Sequence, residues 1–413
     1  MREILEIADW LSATENYRRF QRRFYLPTTD SLPSPIFYAN GREFVSFSTN
    51  NYLAIAHDPM VVRAAKEGLD HYGVANCESR LLGGNLDIYM QLEQRLATLN
   101  KKSDAILFGT GLLTNYGVLP ALANTGALMF HYGFRPSHRY RYEYFVDEYS
   151  HISLTQAIRL TGAPRRLYRH RDVVQLDARL GASTADAKII VTDGVFSQEG
   201  TTAPLPELLK VAEQHDAMIY LDDAHATGVL GATGGGTPEH FGIYSPQIIH
   251  MGTLSKAFGA LGGFVAIDQP VADVIRHGSL VYAYTSTIPP DQAFAILTAM
   301  DILAAEPERR DRLWANQRYF LEQIEPIGLQ LLSTETPIIP VLIGDEELAT
   351  SFARVLRAAN IYVDVFQFPA APPGQSRLRF QLNAGHTREH IDRVVTVLAQ
   401  LARENPQVTS RAD

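Results

Sequence analysis

Residues 247–264 read QIIHMGTLSKAFGALGGF. An apolar run leads into small hydroxyl residues, then a lysine, then a glycine-rich turn and a second apolar run. A surface lysine normally sits on a polar helix face or in a charged loop, and Lys256 has neither setting. The chain holds six lysines, at 66, 101, 102, 188, 210 and 256, so this one does not belong to a lysine-rich surface. A lone ammonium among glycines and apolar residues is paired, depressed in pKa or covalently committed.

The segments around it supply the frame. DAILF (104–108), YFVD (144–147), AKIIVTD (187–193), AMIYLDD (217–223) and GGFVAI (262–267) are short apolar runs like QIIHMG. Helical patterns such as LPELLKVAEQH separate several of them. DPMVVRAAKEGLDHYG carries Asp58 as N-cap, Pro59 at the first helical position and Gly73 as the stop. This alternation predicts an α/β fold around a mostly parallel sheet. After about residue 290 a long helical stretch leads to IIPVLIG, ELATSFARVLRAAN, the strands IYVDVF and RLRFQL, and a last helix REHIDRVVTVLAQLA. We expect a 1–40 N-terminal arm, a 41–290 large domain and a 291–413 small α+β domain. The aromatic, basic segment 131–143, HYGFRPSHRYRYE, reads as a long loop.

Composition excludes several classes. A net charge of −8 argues against general nucleic-acid binding. No apolar run approaches the ~18 residues of a membrane span. The N-terminal MREILEIADWLSATENYRRF is charged and reads as an amphipathic helix rather than a signal peptide. Cys77 is the single cysteine, which points to a cytoplasmic home, and it reads as a small buried residue.

In open α/β sheets ligands bind beyond the carboxyl ends of the strands. Those ends carry Asp193, Asp222 and Asp223, with His225 just beyond, and the Lys256 loop. The strand DAILF runs into Gly109-Thr110-Gly111 and then a helix, which makes an anion cradle from exposed N–H groups and the helix dipole. A phosphate cradle, an aspartate and an isolated lysine on one sheet edge suit pyridoxal 5'-phosphate (PLP). That cofactor requires a lysine for its Schiff base, an acid for its ring nitrogen and a phosphate cup.

LDDAHATGVLGATGGGTPEHFG and TLSKAFGALGGF resemble the signatures of the α-oxoamine synthases. These are class II aminotransferase-like members of the fold-type I PLP enzymes. FSTNNYLAIAHDP, SRLLGGNLDIYMQLE, DEYSHISL, TDGVFSQEGTTAPLPEL, YTSTIPP and PPGQSRLRFQLNAGHT resemble family segments in the same order. The resemblance implies the PLP-transferase fold type I, with a seven-stranded-type, mostly parallel sheet and a smaller C-terminal domain. It also implies a homodimer with a shared active site.

By resemblance, Lys256 carries the Schiff base and removes the substrate α-proton. Asp222 pairs with the pyridinium nitrogen, His225 bonds the ring's phenolic oxygen and His151 stacks on the ring. Thr110, Gly111 and Leu112 match the phosphate turn, with Thr253 beside it, and Ser286 reaches the phosphate of the partner subunit. Asn50 and Arg379 match the residues that hold the substrate carboxylate, and Ser197 lies close to cofactor and substrate. Strand alternation puts Arg377 and Arg379 on one face, so choosing Arg379 rests on the resemblance. No metal ligands are implied. The implied reaction condenses a small amino acid (glycine, serine or alanine) with an acyl thioester, on coenzyme A or a carrier protein, to an α-amino ketone, usually with loss of carbon dioxide.

Some positions depart from the family pattern. Tyr89 stands where many relatives have histidine, Glu78 and Cys77 lie in a usually glycine-rich segment, and 131–143 reads as an insertion. TDGVFS, DDAHA and GQSRLRFQ lean towards glycine C-acetyltransferase, whereas GNLDIYMQLE and ANCESR lean towards serine palmitoyltransferase subunits. Two other readings stay open: another PLP reaction, as a lyase, aldolase or aminotransferase, and a non-catalytic partner subunit, against which the intact Lys256, Asp222 and His225 argue.

Overall fold

The computed structural model of the protein describes residues 2–13, 29–31 and 35–409. Arg2–Ser12 is helical, and the remainder of the expected N-terminal helix, 14–20, lies outside the described residues. A hairpin of β1 (Ile36–Ala39) and β2 (Arg42–Ser46) comes next. The main sheet contains β3 (Asp104–Phe108), β4 (Tyr142–Asp147), β5 (Arg165–Tyr168), β6 (Ala187–Asp193), β7 (Ala217–Asp222), β8 (Ile248–Thr253) and β9 (Gly263–Ile267). Its order is β3-β9-β8-β7-β6-β4-β5. Neighbours from β8 to β5 run parallel, and β9 is antiparallel to both β3 and β8. The expected seven-stranded, mostly parallel sheet is therefore present.

Every residue of β8 and β9 is buried. A sheet covered on both faces needs apolar side chains on both sides, which is why these strands read as continuous apolar runs. The helix Gly111–Met129 packs so closely on β8 and β9 that a Cβ on Gly263 would lie 2.6 Å from the Gly111 nitrogen. Only glycine lets the start of that helix approach the strand so closely. The helix Pro59–Tyr72 has the expected ends: Asp58 Oδ1 accepts from the Met60 N–H at 2.9 Å, and Gly73 closes it with φ 77°.

The C-terminal part contains β10 (Ile338–Gly344), β11 (Ile361–Tyr362), β12 (Asp364–Phe366) and β13 (Ser376–Gln381). IYVDVF, expected as one strand, is split at Val363. Its first half pairs parallel with β2, and its second half pairs antiparallel with β13. The side chains of one short segment thus serve two sheets. The 131–143 segment is a 3-10 turn at Phe130–Tyr132, an irregular stretch and the first residues of β4, with Tyr132 79% exposed.

Candidate active site

β6, β7 and β8 finish at one edge, where Asp193 stands opposite Asp222 and Asp222 opposite Met251. β7 ends in Asp222, which is 3% exposed. Asn115, on the second turn of the Gly111–Met129 helix, donates its Nδ2 to Asp222 Oδ2 at 2.9 Å and to Ser153 Oγ at 2.8 Å. The Tyr220 hydroxyl donates to Asn115 Oδ1 at 2.8 Å. Because a carboxylate only accepts, this chain fixes which end of the Asn115 amide faces Asp222. Ser153 Oγ lies 2.7 Å from His151 Nδ1, and the His151 N–H donates to Asp193 Oδ2 at 2.9 Å. His151 is also the N-cap of the helix Ile152–Arg159.

His225 lies at the turn after β7, with Nδ1 2.8 Å from the Tyr52 hydroxyl. Burial pushes the Tyr52 phenol well above its usual pKa, so the hydroxyl keeps its proton to donate. Burial, with Lys256 next, holds the His225 ring well below its usual pKa. The neutral imidazole accepts from Tyr52 at Nδ1 and keeps its proton on Nε2.

Among the described residues, Lys256 Nζ has no hydrogen bond and no ion pair. The protein bulk around this part-exposed amine pushes it down from 10.5 to about 8, against the upward pull of Asp222 and Asp193. Of the three fates open to such a lysine, pairing is absent and depression is present. The His151 ring is open to solvent on one side, so the surrounding protein bulk, with Lys256 assisting, lowers its pKa while Asp222 opposes. Burial and the adjacent Asp222 carboxylate push the Asp193 carboxyl well above the usual range.

Thr110 caps the Gly111–Met129 helix, accepting from the Leu113 N–H at 3.1 Å. The Gly111 and Leu112 N–H groups have no partner among the described residues. Thr253 at the end of β8 stands against this turn: a Cβ on Gly111 would lie 3.2 Å from Thr253 Oγ1. The two expected phosphate elements therefore meet, with Leu112 exposed beside them.

The rim of the site comes from β13, β12, the 194–202 hairpin and the residues after β2. Arg379 Nη1 donates to the Ser197 carbonyl at 2.9 Å, and Nη2 donates to Asp364 Oδ2 at 2.9 Å. The guanidinium lies 4.5 Å from the Phe366 ring centroid. With its amide oriented to satisfy its neighbours, Gln381 donates to Asn50 Oδ1 at 2.6 Å and accepts from Arg379 Nε at 3.1 Å and Nη2 at 2.6 Å. Arg377, on the same face, pairs with Glu199 at 3.3 Å and donates to the Gln198 carbonyl. Strand alternation could not separate the two arginines, and both turn out to hold a carboxylate.

Ser197 Oγ has no partner among the described residues. Ser286 is exposed on this chain's own surface, in the loop before the helix Pro290–Ala305. Tyr89 is fully buried and donates its hydroxyl to the Ile288 carbonyl at 2.8 Å, so it braces the 286–290 loop from behind. Glu78 is exposed and accepts from the Ser79 N–H at 2.8 Å. Cys77, expected buried, is exposed with φ 56°, because it forms the tip of a turn that Asn76 closes through the Glu78 and Gly84 carbonyls. Tyr52, Asn115, Ser153, Tyr220, Gln381 and Asp364 are site residues that the motif reading passed over. Tyr220 was within reach, since it precedes Asp222 by two and shares its strand face.

These residues fit PLP on their own chemistry. A depressed amine without a partner suits an imine, a preset carboxylate suits a ring nitrogen, and two open helical N–H groups beside a threonine suit a phosphate.

The family description "aminotransferase class I and II" matches residues 42–398. An 8-amino-7-oxononanoate synthase of Bacillus velezensis is 36% identical over 376 residues, 91% of this chain and 92% of that protein. Among solved structures, Sphingomonas wittichii serine palmitoyltransferase superposes with a TM-score of 0.87 at 29% identity, covering 96% of this chain and 99% of that one. The 8-amino-7-oxononanoate synthase of Francisella tularensis gives 0.73 at 27% identity, covering 88% and 99%.

Proposed function

From the premise that this chain belongs to the class I and II aminotransferase family, in its PLP-dependent α-oxoamine synthase group, we propose that it condenses glycine, L-serine or L-alanine with an acyl thioester. The product is an α-amino ketone, with coenzyme A or a carrier protein as the departing thiol. The unpartnered Lys256 amine at the edge that also carries Asp222 is the observation that carries the reading. PLP, when bound, withdraws electrons from the substrate α-carbon.

On this reading Lys256 Nζ holds the cofactor and then takes the α-proton, a task suited to an amine poised near 8. Asp222, its acceptor geometry preset by Asn115, keeps a proton on the ring nitrogen. His225 would offer Nε2–H to the phenolic oxygen, and His151 would lie against the ring. The Gly111 and Leu112 N–H groups, Thr110 and Thr253 hold the phosphate. Asn50 Nδ2 and Arg379 Nη1 would orient the substrate carboxylate, and Ser197 would lie close to cofactor and substrate. Orientation matters because the α C–H bond must stand perpendicular to the ring plane to be broken.

The same reading divides the chain at 40 and 290 into arm, large PLP-binding domain and small domain. It also makes the enzyme a homodimer, in which Ser286 reaches the phosphate of the neighbouring site. Supporting this, Leu280 is 71% and Tyr284 79% exposed just ahead of Ser286. A cytoplasmic home agrees with the single cysteine. Among the described residues no helix is long and apolar enough to cross a membrane.

The test is thiol release from an acyl-CoA series with each of the three amino acids in turn. Release that requires one amino acid and one thioester together is the expected result. Consumption of the amino acid without any acyl donor would instead identify an aminotransferase or lyase.

A further inference from the structure

Arg379 has five N–H donors, and the structure uses four of them. Nε and one Nη2 hydrogen go to Gln381, the other Nη2 hydrogen goes to Asp364, and one Nη1 hydrogen goes to the Ser197 carbonyl. One Nη1 hydrogen is left without a partner among the described residues. A free guanidinium receives a carboxylate through two parallel bonds, as a fork. This one can offer an incoming carboxylate a single bond unless a resident partner leaves.

The resident partners differ in how firmly they are held. The Ser197 carbonyl belongs to a backbone hairpin, and Gln381 is buried and also tied to Asn50. Asp364 sits on β12, an edge strand, with its side chain 29% exposed, and it faces Arg379 in register across the β12–β13 ladder. It is also the one resident partner that carries the charge of a substrate carboxylate. Arg377 provides an internal contrast, since its carboxylate partner Glu199 is more enclosed, at 13%.

We propose that Asp364 is a specificity-determining residue that competes with the substrate carboxylate for Arg379, weakening amino-acid binding and disfavouring amino acids with a second acidic group. This rests on the reading of Arg379 as the carboxylate anchor. A substrate carboxylate arriving at Nη1 meets a like charge across one guanidinium, which costs affinity. A side-chain carboxylate on the substrate adds a further like charge to the same rim.

The test is the PLP-loaded enzyme with Asp364→Asn, titrated at equilibrium with glycine, L-serine, L-alanine and L-aspartate. Cofactor absorbance reports the dissociation constants, and KM and kcat are measured alongside. Asp364→Asn should tighten binding of the preferred small amino acid on the order of tenfold, with kcat moving far less, and should narrow its preference over L-aspartate. Asp364→Glu, which keeps the competing charge, should stay close to the parent. A purely structural Asp364 predicts the opposite sign, so unchanged or weaker binding in Asp364→Asn overturns the proposal. Should that variant fold poorly, Asp364→Ser carries the same expectation. Arg379→Met separates the two levels. If it leaves amino-acid binding intact, the anchor reading falls and this proposal with it. If it abolishes binding while Asp364→Asn gives no tightening, this proposal falls alone.

Discussion

The floor of the site, at the ends of β6, β7 and β8, and its rim hold similar residue types in different ways. On the floor, Asp222 is 3% exposed, Asn115 donates to it, and Tyr220 locks Asn115. At the rim, Arg379 is divided among Asp364, Gln381 and the Ser197 carbonyl, and the strand carrying Asp364 lies at a sheet edge. The Asn115 amide fixes the direction of the Asp222 carboxylate before anything binds. Rim groups have rivals, so what they bind depends on displacement. On the proposed reading, chemistry falls to the floor and choice among substrates to the rim.

If that contrast holds, floor substitutions should lose turnover and rim substitutions should change affinity. The largest effect is expected from Lys256→Ala, which on the proposed reading removes both the attachment point and the base. Turnover should fall by at least about 10³-fold, and borohydride reduction should no longer fix PLP to the chain. Asp222→Asn should lower kcat by about 10²–10³-fold with little change in the amino-acid KM. A loss confined to KM would erase the distinction between floor and rim.

A pH measurement sharpens the account of the lysine. The surrounding protein bulk lowers the amine from 10.5 to about 8, so deprotonation, which makes it nucleophilic, occurs as pH rises through about 8. The rate at which cofactor-free protein captures PLP should rise roughly tenfold between pH 7 and 9 and then level off. A rise that continues towards 10.5 would show an amine that the site does not perturb.

Tyr52→Phe leaves His225 Nδ1 without its donor. We expect kcat to fall by about tenfold, equivalent to roughly 1.4 kcal/mol, with the amino-acid dissociation constant nearly unchanged. The smallest functional effect belongs to Tyr89→Phe, whose hydroxyl bonds the Ile288 carbonyl and none of the floor or rim residues. It should cost about 1–2 kcal/mol in urea unfolding, because the buried Ile288 carbonyl loses its donor. Kinetic constants of the surviving enzyme should match the parent, and a changed acyl-donor preference would return Tyr89 to the site.

The main sheet could be read in the sequence because its strands are covered on both faces, which forces continuous apolar runs. AKIIVTD and DAILF match β6 and β3 residue for residue. The placement of Asp222, His225 and Lys256 at one sheet edge was equally legible, since each lies at or just beyond the end of such a run. IYVDVF was misread because both halves are good strand sequence, and the partner sheet of each half is chosen by residues 316 or more positions away or by β13. Cys77 was misplaced because exposure at the tip of a turn depends on which carbonyls Asn76 reaches.

By itself, the sequence determined the fold family, the cofactor and the sheet edge at which Asp222, His225 and Lys256 stand. Those follow from local patterns: strand, then turn, then a reactive side chain. Only the tertiary structure decided how those residues are constrained. Asn115 meets Asp222 from 107 positions away, Tyr52 meets His225 from 173, and the partners of Arg379 converge from three different segments. A hydrogen bond has no signature in the spacing of two residues that lie far apart in the chain. Whether a guanidinium is open or already engaged is settled only when the strands that carry it and its partners are brought together.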